Sequence, residues 1–364
     1  MKNGSLLSIL TIFFTIWGCQ VSKKIDPRIL QARVIVEQVR DSSKVPGIAI
    51  TVIKKGEIAL SEGFGYSDLE SETPVDPAKT LFRIGSVSKS VTAIGLGILM
   101  EEGKIDLDTS IYFYLPEFPQ KRWDFTTRQA AGHLAGIRHY RNDEFVNNKH
   151  YPDVISGLSI FMHDSLLFEP GSQYRYSTYG WNLVSAIMER AASQPFLEFM
   201  QTRIFDPLEL TNLQPELKGN RIQNLSSFYQ LNENEIVAAP EVDNSYKWAG
   251  GGFISTTEDL AKFAHKVFFD YALLEESTVE QLIVPMTLPD GESTNYGLGW
   301  RTGEDERGHF YIGHSGGSVG GITMLIIYPE EKIVAAMLSN SSNVRYQIAY
   351  SKIAWLFMDS EAAD

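Results

Sequence analysis

Between residues 28 and 43, apolar side chains recur at helical spacing in "RILQARVIVEQVRDSS". Ile29, Leu30, Val34, Val36 and Val39 predict an amphipathic first helix. The period then changes. "GIAITVIKKGEIALSEGFGYSD" holds two β-rich runs around Lys54-Lys55-Gly56, which predicts a hairpin. The far end of the chain mirrors this order. "GITMLIIYPEEKIVAAMLSN" predicts a second hairpin turning at Pro329-Glu330-Glu331, and an amphipathic helix over about 344–358 follows it. A helix and hairpin at one end, with a hairpin and helix at the other, predict one sheet built from both chain ends.

Helical patterning and loops dominate the middle, from about residue 88. "STTEDLAKFAHKVF" places Ser255 three residues before Glu258, a capping-box spacing, ahead of the apolar face Leu260, Phe263, Ala264 and Val267. No internal repeat or low-complexity block interrupts the chain. The expected fold class is mixed α/β: an antiparallel sheet from about 28–85 and 240–360, flanked by helices, with an inserted helical region over about 88–240. Residues 28–360 are expected to form a single domain, a size ample for a substantial core.

The first residues follow another pattern. Lys2 precedes a twelve-residue apolar run, 6–17, too short to span a bilayer as an ordinary helix. It ends in "IWGC", and Cys19 is the single cysteine, so no disulfide can form within the chain. The segment resembles a bacterial lipoprotein signal over 1–18, with a tether at 19–27. That resemblance implies a lipid on Cys19, attachment to a membrane surface, and a place in the cell envelope (periplasm or outer membrane). A plain signal peptide or an uncleaved anchor, with an incidental cysteine, is the other reading.

Composition adds only exclusions. The 364 residues carry a formal net charge of −13, which argues against nucleic acid as a partner. The seven histidines show no metal-ligand spacing. "GHSGG" and "GGSVG" both fit the nucleophile elbow of α/β hydrolases. No histidine follows His314, however, and strand-like "ITMLIIYP" stands where that elbow requires a helix.

"FRIGSVSKSVTAIGLGILMEEGK" is more informative. Ser86 opens a helix and Lys89 lies three residues on, so the two share a face with Cβ atoms about 5–6 Å apart. A partly desolvated lysine there can take the serine proton, and the helix start favours a developing oxyanion. Alone, this spacing also fits a helix cap beside a solvated lysine. Downstream, "EPGSQYRYSTYGW" carries Tyr176 and "HSGG" begins at His314.

In this order the three segments resemble the active-site triplet of the serine β-lactamase and penicillin-binding-protein superfamily, in its class C-like branch. "HLAGIRHY", "PGSQYRYSTYGW" and "VDNSYKWAGGGFISTTEDLAKF" are similar to the LACTB-type proteins. The resemblance implies Ser86 as acylated nucleophile, Lys89 as its base and Tyr176 as proton relay, the Tyr176 anion being stabilised by the adjacent lysine. It further implies an oxyanion hole from the amides of Ser86 and Gly317. His314, Ser315 and Gly316 would line the substrate edge, with Thr178 where many relatives carry asparagine. A threonine hydroxyl cannot replace both functions of an amide, which points away from penicillin-like recognition.

Tyr246 and Lys247, beside three glycines, are further candidates for substrate contact. His133, Arg138 and His139 read as structural. A histidine at position 314 would titrate near its ordinary pKa of about 6.5, so its grip on a substrate carboxylate is expected to weaken above that pH.

The expected activity is hydrolysis of amide or ester bonds in small peptides, peptidoglycan-like D-aminoacyl peptides or esters, without metal or organic cofactor. The alternatives are a true β-lactamase or esterase, or a filament-forming scaffold of the LACTB type. A homo-oligomer fits either reading.

Overall fold

The computed structural model describes residues 25–344 and 349–359. Cys19 and the apolar run before it lie outside the described residues. Helix α1 (Pro27–Ser43) starts at Asp26, whose carboxylate accepts the Arg28 N–H at 2.8 Å, and has proline at its first position. Strands β1 (Gly47–Lys54) and β2 (Glu57–Asp68) form the first hairpin. Its turn residues Lys55 and Gly56 have φ of 50° and 91°, the left-handed pair that matches the twist of a two-residue hairpin.

The chain continues through β3 (Thr73–Pro74), β4 (Phe82–Arg83) and helix α2 (Val87–Glu101). Helix α3 (Thr178–Ala192) follows, then β5 (Gln214–Pro215), β6 (Tyr229–Asn232), β7 (Glu235–Ala238), β8 (Phe253–Ser255) and helix α4 (Thr257–Phe268). The last elements are β9 (Arg301–Glu304), β10 (Phe310–Ser318), β11 (Gly321–Tyr328), β12 (Ile333–Ser339) and helix α5 (Ala349–Phe357).

Both chain ends build one seven-stranded antiparallel sheet, in the order β3-β2-β1-β12-β11-β10-β9. Strands β1 and β12 pair from Ile48 opposite Ser339 to Lys54 opposite Ile333. Alternation sorts the side chains. Ile48, Ile50 and Val52 pack with Ala32 and Val36 of α1 and Ile353 and Ala354 of α5. Ala49, Ile53, Leu325, Ile327 and Ala336 join the core with Leu260 and Phe263 of α4. Central strands covered on both faces become nearly continuous apolar runs, as β1 and β12 are.

Two local expectations shift. Thr256, not Ser255, caps α4, accepting the Asp259 N–H at 3.1 Å; Ser255 is the last residue of β8. The region expected to be helical also holds β5 and the β6–β7 hairpin. Their two to four residues are too short to show a period.

Candidate active site

Where the sheet meets the helical region, two walls face each other across Ser86. The chain reaches this serine through β4, and the Ile84 N–H donates to the Phe253 carbonyl of β8 at 3.1 Å. Gly85 then turns with φ of 50°, and Ser86 stands at the N-cap of α2. A Cβ on Gly316 would lie 2.0 Å from the Ile84 carbonyl oxygen, and one on Gly85 2.9 Å from the Gly317 nitrogen. Strand β10 therefore presses directly on the turn that presents the serine, and only hydrogen in place of a side chain allows the approach.

Arg83 braces the same seam. Its guanidinium donates to both carboxylate oxygens of Glu216 at 2.8 and 2.6 Å, and to the Val319 carbonyl just past β10 at 2.6 Å.

Helix α2 is apolar and buried nearly all round, which carries Lys89 into the interior at 0% exposure. Its Nζ is 3.2 Å from Ser86 Oγ, 3.2 Å from Thr178 Oγ1 and 2.5 Å from the Gly250 carbonyl oxygen. Burial, then the positive fields of Lys247 and Arg301, push its pKa well below the ordinary lysine value. A neutral amine in this position donates to Gly250 and Thr178 and keeps its lone pair for the serine proton.

The second segment enters at the start of α3. Ser177 caps the helix by accepting the Gly180 N–H at 3.2 Å. His133 Nδ1 accepts the Ser177 N–H at 3.1 Å, and His139 Nδ1 accepts the Thr178 N–H at 3.2 Å. These two histidines hold the backbone that presents Tyr176, in keeping with the structural reading of their motif. Burial, then the charge of Lys89, lowers both; His139 falls to about 4.

The Tyr176 ring lies with its centroid 4.9 Å from Lys89 Nζ and 4.3 Å from the His133 ring. Its phenol is pushed up by burial, against opposing effects of the Ser86 hydroxyl and Arg301. Tyr176 is therefore a neutral phenol at rest, with the lysine over its ring face.

The third segment departs from expectation. His314 is 3% exposed, its Nδ1 is 2.6 Å from the Ser315 carbonyl oxygen and its Nε2 is 3.1 Å from the Tyr296 hydroxyl. The first contact requires a proton on Nδ1, and the second is met by the tyrosine O–H. Burial, then Lys89, lowers its pKa to about 3. The imidazole is neutral through the physiological range, and the switch expected near pH 6.5 is absent.

Ser86, Thr178, Lys247, Gly250, Gly251 and Gly317 line one cleft of about 370 Å³, with His139, Tyr140 and Phe145 at its wall. Ser315 is exposed on β10, while Gly316 is packed under Ile84. Tyr246 is set behind the cleft, its hydroxyl donating to the Glu144 carbonyl at 2.7 Å.

Arg301 and Tyr296 escaped the sequence reading. Arg301 lies 5.8 Å from the Tyr176 ring centroid, brought there by the pairing of β9 with β10, opposite Gly313. No local spacing announces such a cross-strand neighbour. Among the described residues no group of three or more His, Cys, Asp or Glu is arranged to hold a metal ion.

The profile of the Beta-lactamase family matches residues 32–353. The chain belongs to the beta-lactamase family. Human mitochondrial serine beta-lactamase-like protein LACTB is 30% identical over 92% of this chain and 80% of its own length. A Bacillus subtilis penicillin-binding protein is 27% identical over 82% of this chain and 69% of its own. Among solved structures, the octameric penicillin-binding protein homologue from Pyrococcus abyssi superposes with a TM-score of 0.76 at 25% identity, over 90% of this chain and 75% of that one. The family is one of serine hydrolases of the beta-lactamase and penicillin-binding-protein type.

Proposed function

We propose that the protein hydrolyses amide or ester bonds through an acyl-enzyme on Ser86, with peptides, including D-aminoacyl peptides of the peptidoglycan type, as the favoured class. The observation that carries this reading is the fully buried Lys89 with Nζ 3.2 Å from Ser86 Oγ and no acid among the influences on its pKa. Lys89 accepts the Oγ proton as Oγ bonds to the substrate carbonyl carbon. The carbonyl oxygen gains the negative charge and receives the amides of Ser86 and Gly317. As the tetrahedral adduct collapses, the bond to the leaving nitrogen or oxygen breaks. Tyr176 hands that atom a proton and recovers one from the Lys89 ammonium. Water then attacks the ester carbonyl and gives its proton to the same relay, releasing the acid and Ser86.

Peptides are favoured over β-lactams because Thr178 Oγ1 is engaged by Lys89 at 3.2 Å and lacks an amide's paired donor and acceptor. Similarity to penicillin-binding proteins supports the same class. Incubation with a fluorophosphonate probe, then with a panel of peptides, esters and nitrocefin under intact-mass detection, tests this. Wild type gains the mass of the probe and of a peptide-derived acyl group, and Ser86→Ala gains neither. Equal labelling of both proteins would sink the covalent mechanism, and turnover of nitrocefin alone would favour the β-lactamase alternative.

A further inference from the structure

His133 grips the chain on both sides of Tyr176. Its carbonyl accepts the Arg175 N–H at 2.9 Å, and its Nδ1 accepts the Ser177 N–H at 3.1 Å. Between these two bonds its ring lies against the phenol, 4.3 Å from centroid to centroid and tilted by 44°. The rings of Tyr296 and Tyr174 stand 4.5 and 5.9 Å from the same imidazole. At 2% exposure it is close-packed, and it moves only with the aromatic cluster around it.

Two costs are borne at this position. The His133 φ is 65°, a left-handed conformation that strains a residue other than glycine and persists where the surroundings enforce it. With Nδ1 accepting, the neutral ring carries its proton on Nε2, and among the described residues that nitrogen has no hydrogen-bond partner. A dry, unpaired N–H lowers stability. Leucine or phenylalanine would avoid it but leave the Ser177 N–H without this acceptor. Asparagine would take that N–H but leave the Tyr176 ring face open. Histidine supplies the acceptor and the flat face together.

His139 makes the contrast. It accepts the next amide, that of Thr178, but its ring packs on Tyr140 and meets Tyr176 edge-on at 5.7 Å. In the proposed mechanism the phenol has to reach both the leaving atom and Lys89. A displacement of about 1 Å in such a relay costs on the order of 10²-fold in rate.

We propose that His133 is the positioning residue for Tyr176: its ring contact fixes the phenol where it protonates the leaving group, and so governs which leaving groups the enzyme can expel. This rests on the Ser86 acyl-enzyme reading and its Tyr176 relay.

The p-nitrophenyl and ethyl esters of butyric acid and of N-acetyl-D-alanine test the proposal. p-Nitrophenolate departs as a stable anion, whereas ethoxide needs a proton as the C–O bond breaks. The readout is kcat/KM, which covers the steps up to that departure. His133→Asn keeps an acceptor and tolerates the left-handed backbone, but removes the ring. Its kcat/KM is expected to fall about 30-fold for the ethyl esters and no more than about threefold for the p-nitrophenyl esters. Tyr176→Phe is expected to show the same selectivity, at about 10²-fold or more on the ethyl esters. The double variant is expected to match Tyr176→Phe on them within about twofold, since both changes disable one group. His139→Asn is expected to slow both ester types by the same factor.

Equal losses on both ester types in His133→Asn would overturn the proposal, as would losses that multiply in the double variant or the same selectivity in His139→Asn. Should His133→Asn fail to fold, His133→Gln, also ringless and carrying an amide acceptor, is held to the same criteria. Fluorophosphonate labelling in parallel separates the two readings. Labelled Ser86 without leaving-group selectivity in His133→Asn removes the His133 assignment alone, whereas unlabelled Ser86 in wild type removes the acyl-enzyme beneath it.

Discussion

The two walls of the cleft work by different physics. The helical wall, from α2 and α3, supplies titratable groups whose properties are made by burial: Lys89 is driven down and Tyr176 up. The strand wall, from β10, supplies almost no titratable chemistry. Its histidine is locked neutral between Ser315 and Tyr296, and its contribution is close approach, with Gly316 packed against Ile84. The difference teaches that the helical wall acts through the protonation state of its side chains and the strand wall through close approach of its backbone.

The largest effect should come from the helical wall. Lys89→Met removes the proposed base while filling similar volume, and kcat/KM should fall by about 10³-fold or more, with the thermal midpoint held or raised. A buried lysine lowered in the fold costs stability below its unfolded pKa, so its loss is not destabilising. Activity within tenfold of wild type would break the comparison at once.

Gly316→Ala tests the strand wall. A Cβ 2.0 Å from a carbonyl oxygen cannot be accommodated without moving β10 or the Gly85 turn. Urea unfolding should show a loss of about 1–3 kcal/mol, and kcat/KM should fall roughly tenfold as the Ser86 and Gly317 amides separate. An unchanged midpoint and rate would mean that the two walls are not in register through this glycine.

The smallest expected effect is the absence of one. With its pKa lowered to about 3, His314 should show a neutral, Nδ1-protonated ring by nitrogen NMR from pH 5 to 8. kcat/KM for a carboxylate-bearing leaving group and for its neutral amide should then run parallel across that range. Diverging profiles with a midpoint near 6.5 would return His314 to the role expected from sequence. The same shift has a sign for stability: the unfolded chain binds the proton first, so stability falls as pH drops from about 6.5 toward 3.

Much of the fold was legible because period and position are local properties. Residues 28–43 alternate at 3.6, the two terminal hairpins declare themselves by apolar runs around Lys55-Gly56 and Pro329, and strands buried on both faces appear as unbroken apolar stretches. The short strands β5 to β7 were illegible, since two to four residues carry no period. In the site, Ser86 and Lys89 were legible because three residues on a helix is a fixed distance. Arg301 and Tyr296 were not, because a β-ladder and a loop bring them to Tyr176 and His314 from elsewhere in the chain.

Residue order alone pointed to the candidate groups: a serine and a lysine one helical turn apart, followed in turn by a tyrosine and a glycine-rich edge. Tertiary structure decided their states. Whether Lys89 is an amine or an ammonium and whether His314 titrates depend on desolvation and on charges contributed by distant segments. These are properties of a volume assembled by folding, and no stretch of sequence contains them.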